Sequence, residues 1–380
     1  MVPEAAHTDT ALGGVAIGPV SSRPTVAVIK TSPETVISDI GSCMRLAGYE
    51  SYLSKDIATL LKINISWQHF YPSCSTSPWQ LDGVINTLKE DGFKDLIPTH
   101  NGTVVVDARE GEVNNKHDVV VKSHGLESVH LEDVEWVPLY FNEDFLVLDK
   151  IYPDGIHIPK FLIDKNIIHL PTMKTHVFTT ITGAMKNAFG GLLNFQRHWT
   201  HSVIHETLVD LLRIQKKIHP GIFALTDGTF AGSGPGPRAM RWHQKNVLLS
   251  GSDQVAVDAV AAKMMGYDPM TIDFIRIADE YGLGCGRISD INIVGEDISE
   301  IDWQFKSGNT LASKGQKMIY WGNLKPLENM LLRSKITPLA YFASNLYHNE
   351  YWLRFIGKKR IEKAMGTGWG RLFQDYYGTG

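Results

Sequence analysis

The feature that most constrains this chain is a series of short, almost unbroken apolar runs separated by stretches of helical spacing. The runs are PTVAVIK (Pro24–Lys30), TLLKINI (Thr59–Ile65), NIIHL (Asn166–Leu170), IFALT (Ile222–Thr226) and VLL (Val247–Leu249). Between them, Val36–Leu46, Trp79–Lys89, Gly183–Leu192, Val203–Lys217, Val255–Met265 and Ile272–Tyr281 read as helices. Shorter strands are expected at Val104–Val106, Val129–Leu131 and Ile291–Val294. Strands that are apolar on both faces need cover on both faces, and helices alternating with strands supply it. The fold class is therefore α/β, a mostly parallel sheet with helices on both faces. In such sheets ligands sit beyond the carboxyl ends of the strands. Residues 23–300 are assigned to this domain, either as one body or as two lobes, 23–150 and 151–300. Residues 1–22 read as a flexible lead-in and 301–380 as a C-terminal helical extension.

With 380 residues, a net charge of −4 and 43% hydrophobic residues, the chain can bury a sizeable core, and nothing in the overall charge asks for nucleic acid. Cys43, Cys74 and Cys285 lie far apart, which suits neither a disulfide scaffold nor a four-thiolate cluster. The first 22 residues lack the charged start and apolar stretch of a secretory signal. No apolar run is long enough to cross a bilayer as a helix. A cytoplasmic protein is expected. Residues 311–380 differ from the body: they hold 11 Lys and Arg against 4 Asp and Glu, and 12 of the chain's aromatics. Such a segment can dock on the body, form a homodimer interface or lie on an anionic membrane.

Lys62 and Asn64 lie two apart, so on a strand they share a face, and Lys174 and His176 repeat that spacing after the next apolar run. In TTITGAMKNAFGG, a helix starting near Thr182 puts Thr182 with Lys186, and Gly183 with Asn187, at i,i+4. Its amino end would offer free N–H groups to an anion. Thr76, in a Ser/Thr-rich loop, is placed in the same cleft. Asp258 stands in VAVDAVAAKMM, a helix apolar on nearly every side, where a lone carboxylate is costly. It is expected to pair with Lys174 or Lys186. Asp227 is read as ending its strand, and GTFAGSGPGP as a shaped flap; that loop matches neither a GxxxxGK[ST] nor a GxGxxG phosphate motif. Asp253 reads as a helix N-cap. His198, His201 and His205 could share a helical face, with His198 and His201 as candidate metal ligands.

The stretches LLKIN with STSPW, HLPTMKTHVFTTITGAMKNAFGG, ALTDGTFAGSGPGP and LLSGSDQVAVDAVAAKMMGYDP together resemble the domain-of-unknown-function 362 family, over Val26 to Val294. The family favours Lys-Pro-Asn where this chain has Lys62-Ile63-Asn64. Many relatives carry a ferredoxin-like iron–sulfur module, so the resemblance implies a redox association; this chain has no cysteine-rich module. The resemblance leaves open an iron–sulfur cluster shared with a partner or held by non-cysteine ligands, and the histidine spacing leaves open a metal; the cofactor itself is not fixed. The expected function is that of an enzyme acting on a small anionic substrate, in one form a reductase fed by a separate ferredoxin-like protein. In the catalytic group, His176 would move the proton, Asp227 or Asp258 would orient a cation, and Lys174 would join Lys62, Asn64, Thr76, Thr182, Lys186 and Asn187 in binding the anion. The alternative is a non-catalytic carrier of a metal, phosphate or cofactor.

Overall fold

The computed structural model of the chain describes residues 23–103, 106–193, 195–328 and 346–376. The expected lead-in, two of the three residues of the strand at Val104–Val106 and part of the aromatic tail lie outside the described residues. Twelve strands are described: β1 (Thr25–Lys30), β2 (Thr59–Ile63), β3 (Leu96–His100), β4 (Val129–His130), β5 (Trp136–Pro138), β6 (His157–Pro159), β7 (Asn166–Leu170), β8 (Thr172–His176), β9 (Thr180–Ile181), β10 (Ile222–Ser233), β11 (Arg241–Gly251) and β12 (Asn292–Gly295). All but β5 and β6, which form a separate ribbon, join one sheet in the order β12-β1-β11-β10-β7-β2-β3-β4, with β8 and β9 branching from β10. Within the main path only β11 runs against its neighbours. The sheet is thus mostly parallel, as the apolar runs require.

The described α-helices are α1 (Val36–Leu46), α2 (Pro78–Glu90), α3 (Ala108–Asn114), α4 (His117–Ser123), α5 (Leu148–Ile151), α6 (Gly183–Asn187), α7 (Phe189–Leu192), α8 (Ile204–Ile218), α9 (Gln254–Met265), α10 (Asp273–Glu280), α11 (Leu311–Tyr320), α12 (Lys358–Met365) and α13 (Gly368–Asp375). Two cores sandwich the sheet. The pleat sends Leu60 and Ile167 into the layer of α8 and α9, and Leu61 and Ile168 into the layer of α1 and α2. Helix α9 explains its own composition. Every residue in it except Lys263 is buried, because it is packed between the sheet and α10. Asp253 caps it as expected, accepting from the Val255 and Ala256 amides.

Two expectations are corrected. The strand ending at Asp227 continues to Ser233, because β11 pairs with it along its length, with a bulge between Gly228 and Phe230. Part of the expected flap is therefore strand, and residues 234–240 form the turn of a β10–β11 hairpin. The helix expected over Gly183–Leu192 is two short helices meeting at Ala188. Strand β3, LIPTH, carries a proline and a histidine and had no apolar run to announce it.

The C-terminal segment docks on the body. Trp369 is fully buried against Trp79, Trp352 packs beside Trp67 and Tyr71, and the Trp369 indole N–H donates to Asn246 Oδ1 at 2.8 Å. Buried Lys116 donates to the Phe373 carbonyl. Removing all residues after Asp302 should therefore expose Trp67, Trp79 and Trp242. The truncated chain is expected to aggregate or bind a hydrophobic dye such as ANS strongly; a monodisperse product with an unchanged melting temperature would show the docking to be dispensable. Among the described residues no helix is long and apolar enough to cross a membrane.

Candidate active site

Beyond the carboxyl ends of β2 and β8 lies a cavity of about 330 Å³, the size of a small-metabolite site. Its wall brings together Lys62, Asn64, His176, Thr182, Lys186, Asn187, His198 and His201, all read from the sequence. It also includes Arg197 and Arg238, which sequence reasoning missed, and no residue of the described lining is acidic.

Each group has a local reason for its place. Lys62 is the next-to-last residue of β2, and its ammonium donates to the Ile63 carbonyl at 3.0 Å and to Asn101 Oδ1 at 3.2 Å. Thr76 does not line the cavity. Its hydroxyl accepts from the Asn64 amide at 2.9 Å and donates to the Leu170 carbonyl at 2.7 Å, which clasps the end of β2 to β7. Lys174 lies just behind the wall, its ammonium donating to Ser66 Oγ and the Cys74 carbonyl. Asn187 donates to the Lys62 carbonyl at 2.9 Å. Arg238 is delivered by the hairpin turn, whose Gly236 passes so close to β8 that a Cβ there would lie 1.8 Å from the Thr175 carbonyl oxygen. Only glycine fits that approach.

The tautomers follow from the donors. His176 Nδ1 faces the amides of Phe178 (3.2 Å) and Thr179 (3.3 Å), so it carries the lone pair and Nε2 carries the proton. Burial, together with the charges of Lys186 and Lys174 and with His201, holds this ring neutral, its pKa well below the usual value. His176 is thus a neutral N–H donor. His201 is the reverse: its Nδ1 donates to the His198 carbonyl at 3.0 Å, its ring stacks on Tyr320, and burial pushes its pKa down to about 3. Burial also lowers the lysines. Lys62 and Lys186 fall to about 7, mainly by desolvation with the Arg197 charge repelling both and Lys174 repelling Lys186, and desolvation alone takes Lys174 to about 8.

Three donors in this wall lack a hydrogen-bond partner among the described residues. Thr182 Oγ1 and Arg238 Nη1 are buried and unpaired. Among the described residues the Lys186 ammonium has no hydrogen-bond acceptor and faces the Phe189 ring, 4.9 Å from its centroid.

The lid comes from the extension. Thr310, Ser313, Gln316, Ile319 and Tyr320 recur at helical spacing along α11 and its cap, and this face closes the cavity. Trp321 anchors it by donating to the Ser202 carbonyl at 2.9 Å.

The remaining expected residues lie elsewhere. Asp258 pairs with neither lysine; its carboxylate accepts from the Ala184 and Met185 amides at 2.5 and 3.0 Å. The amino end of α6, expected to receive an anion, is thus capped from within, and Thr182 does not cap it. Asp227 is buried inside β10, accepting from Ser77 Oγ and the Thr229 amide, and is not part of the cavity lining. His205 turns away to accept from the Phe274 amide, because residues 195–203 form a 3₁₀ turn rather than an α-helical stripe. His198 and His201 gather no third metal-ligating group among the described residues. The cysteines do not converge either: Cys43 bonds with Ser250, Cys74 donates to the Pro237 carbonyl, and Cys285 packs against the other core layer. A thiolate-held cluster does not fit the described residues of this chain.

The model of a domain of unknown function, DUF362, matches residues 59–263, which span every residue of the described cavity lining except those brought by the C-terminal segment. The chain belongs to the domain-of-unknown-function 362 family. Among curated proteins it is similar to the thylakoid-associated protein sll1697 of Synechocystis sp., with 29% identity over 124 residues. That alignment takes in 31% of this chain and 37% of the relative, so the chain spans little more than a third of it. No solved structure matches the chain. Helix α11 and the rest of the lid lie outside the matched family segment.

Proposed function

We propose that this member of the family is an enzyme acting on a small organic anion held in the covered cavity. The observation that carries the reading is the set of uncommitted donors, Lys186, Arg238 Nη1 and Thr182 Oγ1, facing a cavity whose described lining has no carboxylate. Burying such donors without a partner costs free energy, and an anionic ligand recovers it. Lys62 and Arg197 add charge at the same wall. The apolar side chains Ile65, Phe178, Phe189 and Ile319 would take the ligand's carbon skeleton.

Within the bound complex, Thr182 Oγ1 and His176 Nε2–H would orient the anion's oxygens. In the unliganded chain Lys186, with a pKa of about 7, is poised to gain or lose a proton near neutral pH, which suits general acid–base work. A thermal-shift screen of carboxylates and phosphates tests binding. A ligand present at about a hundred times its Kd should add about 2.7 kcal/mol of stability. Turnover of the best ligand, followed by NMR, separates enzyme from carrier. Lys186→Arg keeps the charge but cannot release its proton, so an enzyme loses turnover while a carrier continues to bind. Absence of any stabilising anion across the screen would contradict the reading.

A further inference from the structure

Three side chains outside the anion cavity converge at the carboxyl ends of β3 and β4. These strands are parallel neighbours with His100 opposite His130, so the two imidazoles lie side by side, ring centroids 4.5 Å apart. Glu112, on α3, brings its Oε2 to 3.1 Å from His100 Nε2 and 3.2 Å from His130 Nε2. All three atoms lie within 4.8 Å of one another. Ser128 Oγ donates to the other carboxylate oxygen and fixes its orientation. The His100 side chain is buried, while those of Glu112 and His130 keep about a tenth of their surface exposed, at 11% and 12%.

The hydrogen bonds alone leave this group poorly satisfied. If both rings donate Nε2–H to the one oxygen, both Nδ1 lone pairs are buried without a partner. That of His130 then faces the Asp133 carboxylate, 4.0 Å away, with the wrong polarity. A cation at the point of convergence reverses the tautomers: each Nε2 becomes a ligand, and the His130 Nδ1–H turns toward Asp133. A carboxylate behind a metal-bound imidazole is the usual arrangement, because it fixes the ring and raises its basicity. The two carboxylate–imidazole spacings, 3.1 and 3.2 Å, also fit. Ligand atoms about 2.1 Å from a shared ion, at tetrahedral or octahedral angles, lie about 3.0–3.4 Å apart.

We propose that His100, Glu112 and His130 bind a divalent transition ion of the zinc or iron(II) class through two imidazole nitrogens and one carboxylate oxygen. Three protein ligands leave at least one position for water or another molecule. The site is distinct from the anion cavity, though Asn101, next to His100, lines that cavity.

The test uses the full chain, treated with a chelator and titrated with Co²⁺ and then Zn²⁺. One equivalent of Co²⁺ should bind with visible d–d absorption and be displaced by Zn²⁺. His130→Gln and Glu112→Gln should each weaken binding by at least about a hundredfold. Circular dichroism establishes that each variant is folded; should Glu112→Gln unfold, the more exposed His130→Gln decides. Failure of the folded wild type to bind one equivalent, or unchanged affinity in folded His130→Gln, would overturn the proposal.

Discussion

Asp258→Ala should lower the unfolding free energy by about 3–5 kcal/mol, among the largest single losses this chain can suffer. The residue is fully buried, and its two oxygens are committed to the Ala184 and Met185 amides at the start of α6. Alanine leaves both amides without an acceptor in a dry interior, at about 1–3 kcal/mol each, together with a void. The partner across this contact is Gly183. It sits at φ +78°, and a Cβ there would lie 2.4 Å from the Asp258 carboxyl atoms. Gly183→Ala should therefore be destabilising too, and the pair should be non-additive, because shortening Asp258 removes the collision while the backbone strain stays. Denaturant unfolding of the two single variants and the double variant measures this coupling. Burial raises the Asp258 pKa to about 7. A raised folded-state value contributes stability that is fully present below the unfolded-state value near 3.8 and is lost as pH rises through 7. The advantage of the wild type over Asp258→Asn should shrink across that window. An Asp258→Ala variant as stable as the wild type would show that the cap is unimportant.

The same contact marks where sequence reasoning runs out. Period-two spacing placed Lys62 with Asn64, and i,i+4 spacing placed Thr182 with Lys186, since both depend only on local backbone geometry at the end of one element. The apolar runs likewise announced the parallel sheet. What Asp258 would meet depends on how α9 packs against α6, which no local pattern encodes. An isolated carboxylate suggested a lysine partner, and the backbone amides supplied a cheaper one. Arg238 escaped notice because it reaches the cavity only when the β10–β11 hairpin folds back over Thr175. Helix α11 escaped because its polar face looks like an ordinary solvated face until it meets the cavity. The His100–Glu112–His130 group had a readable signal, two histidines ending short strands before a helix and a turn. Proline inside LIPTH masked the first strand.

The second large effect concerns how the cavity holds its charge. Lys186 and Lys62 are desolvated and lie near Arg197, so both are poised at about 7 rather than near their ordinary 10.5. An anion placed beside them restores the charged form, and binding must then take up protons wherever the free lysines are partly neutral. Affinity for a carboxylate, whose own ionisation is complete above pH 6, should hold below pH 7 and fall by up to about tenfold per pH unit above it for each lysine involved. Calorimetry in buffers of different ionisation enthalpy should find an uptake approaching one proton at pH 8 for Lys186, and more if Lys62 joins it. Lys186→Met should weaken binding by about 2–4 kcal/mol, or about 30- to 1000-fold, because it removes a buried charge facing the anion. Lys186→Arg keeps a permanent charge and should flatten the pH dependence instead of abolishing binding. Lys186→Met removes a half-buried cation that has no carboxylate partner among the described residues, so its folded state should lose little, and the unliganded variant should gain stability near pH 7 by shedding a desolvated ammonium. Affinity that stayed constant from pH 6.5 to 9, with no proton uptake, would mean that the anion's charge is met by groups other than these lysines.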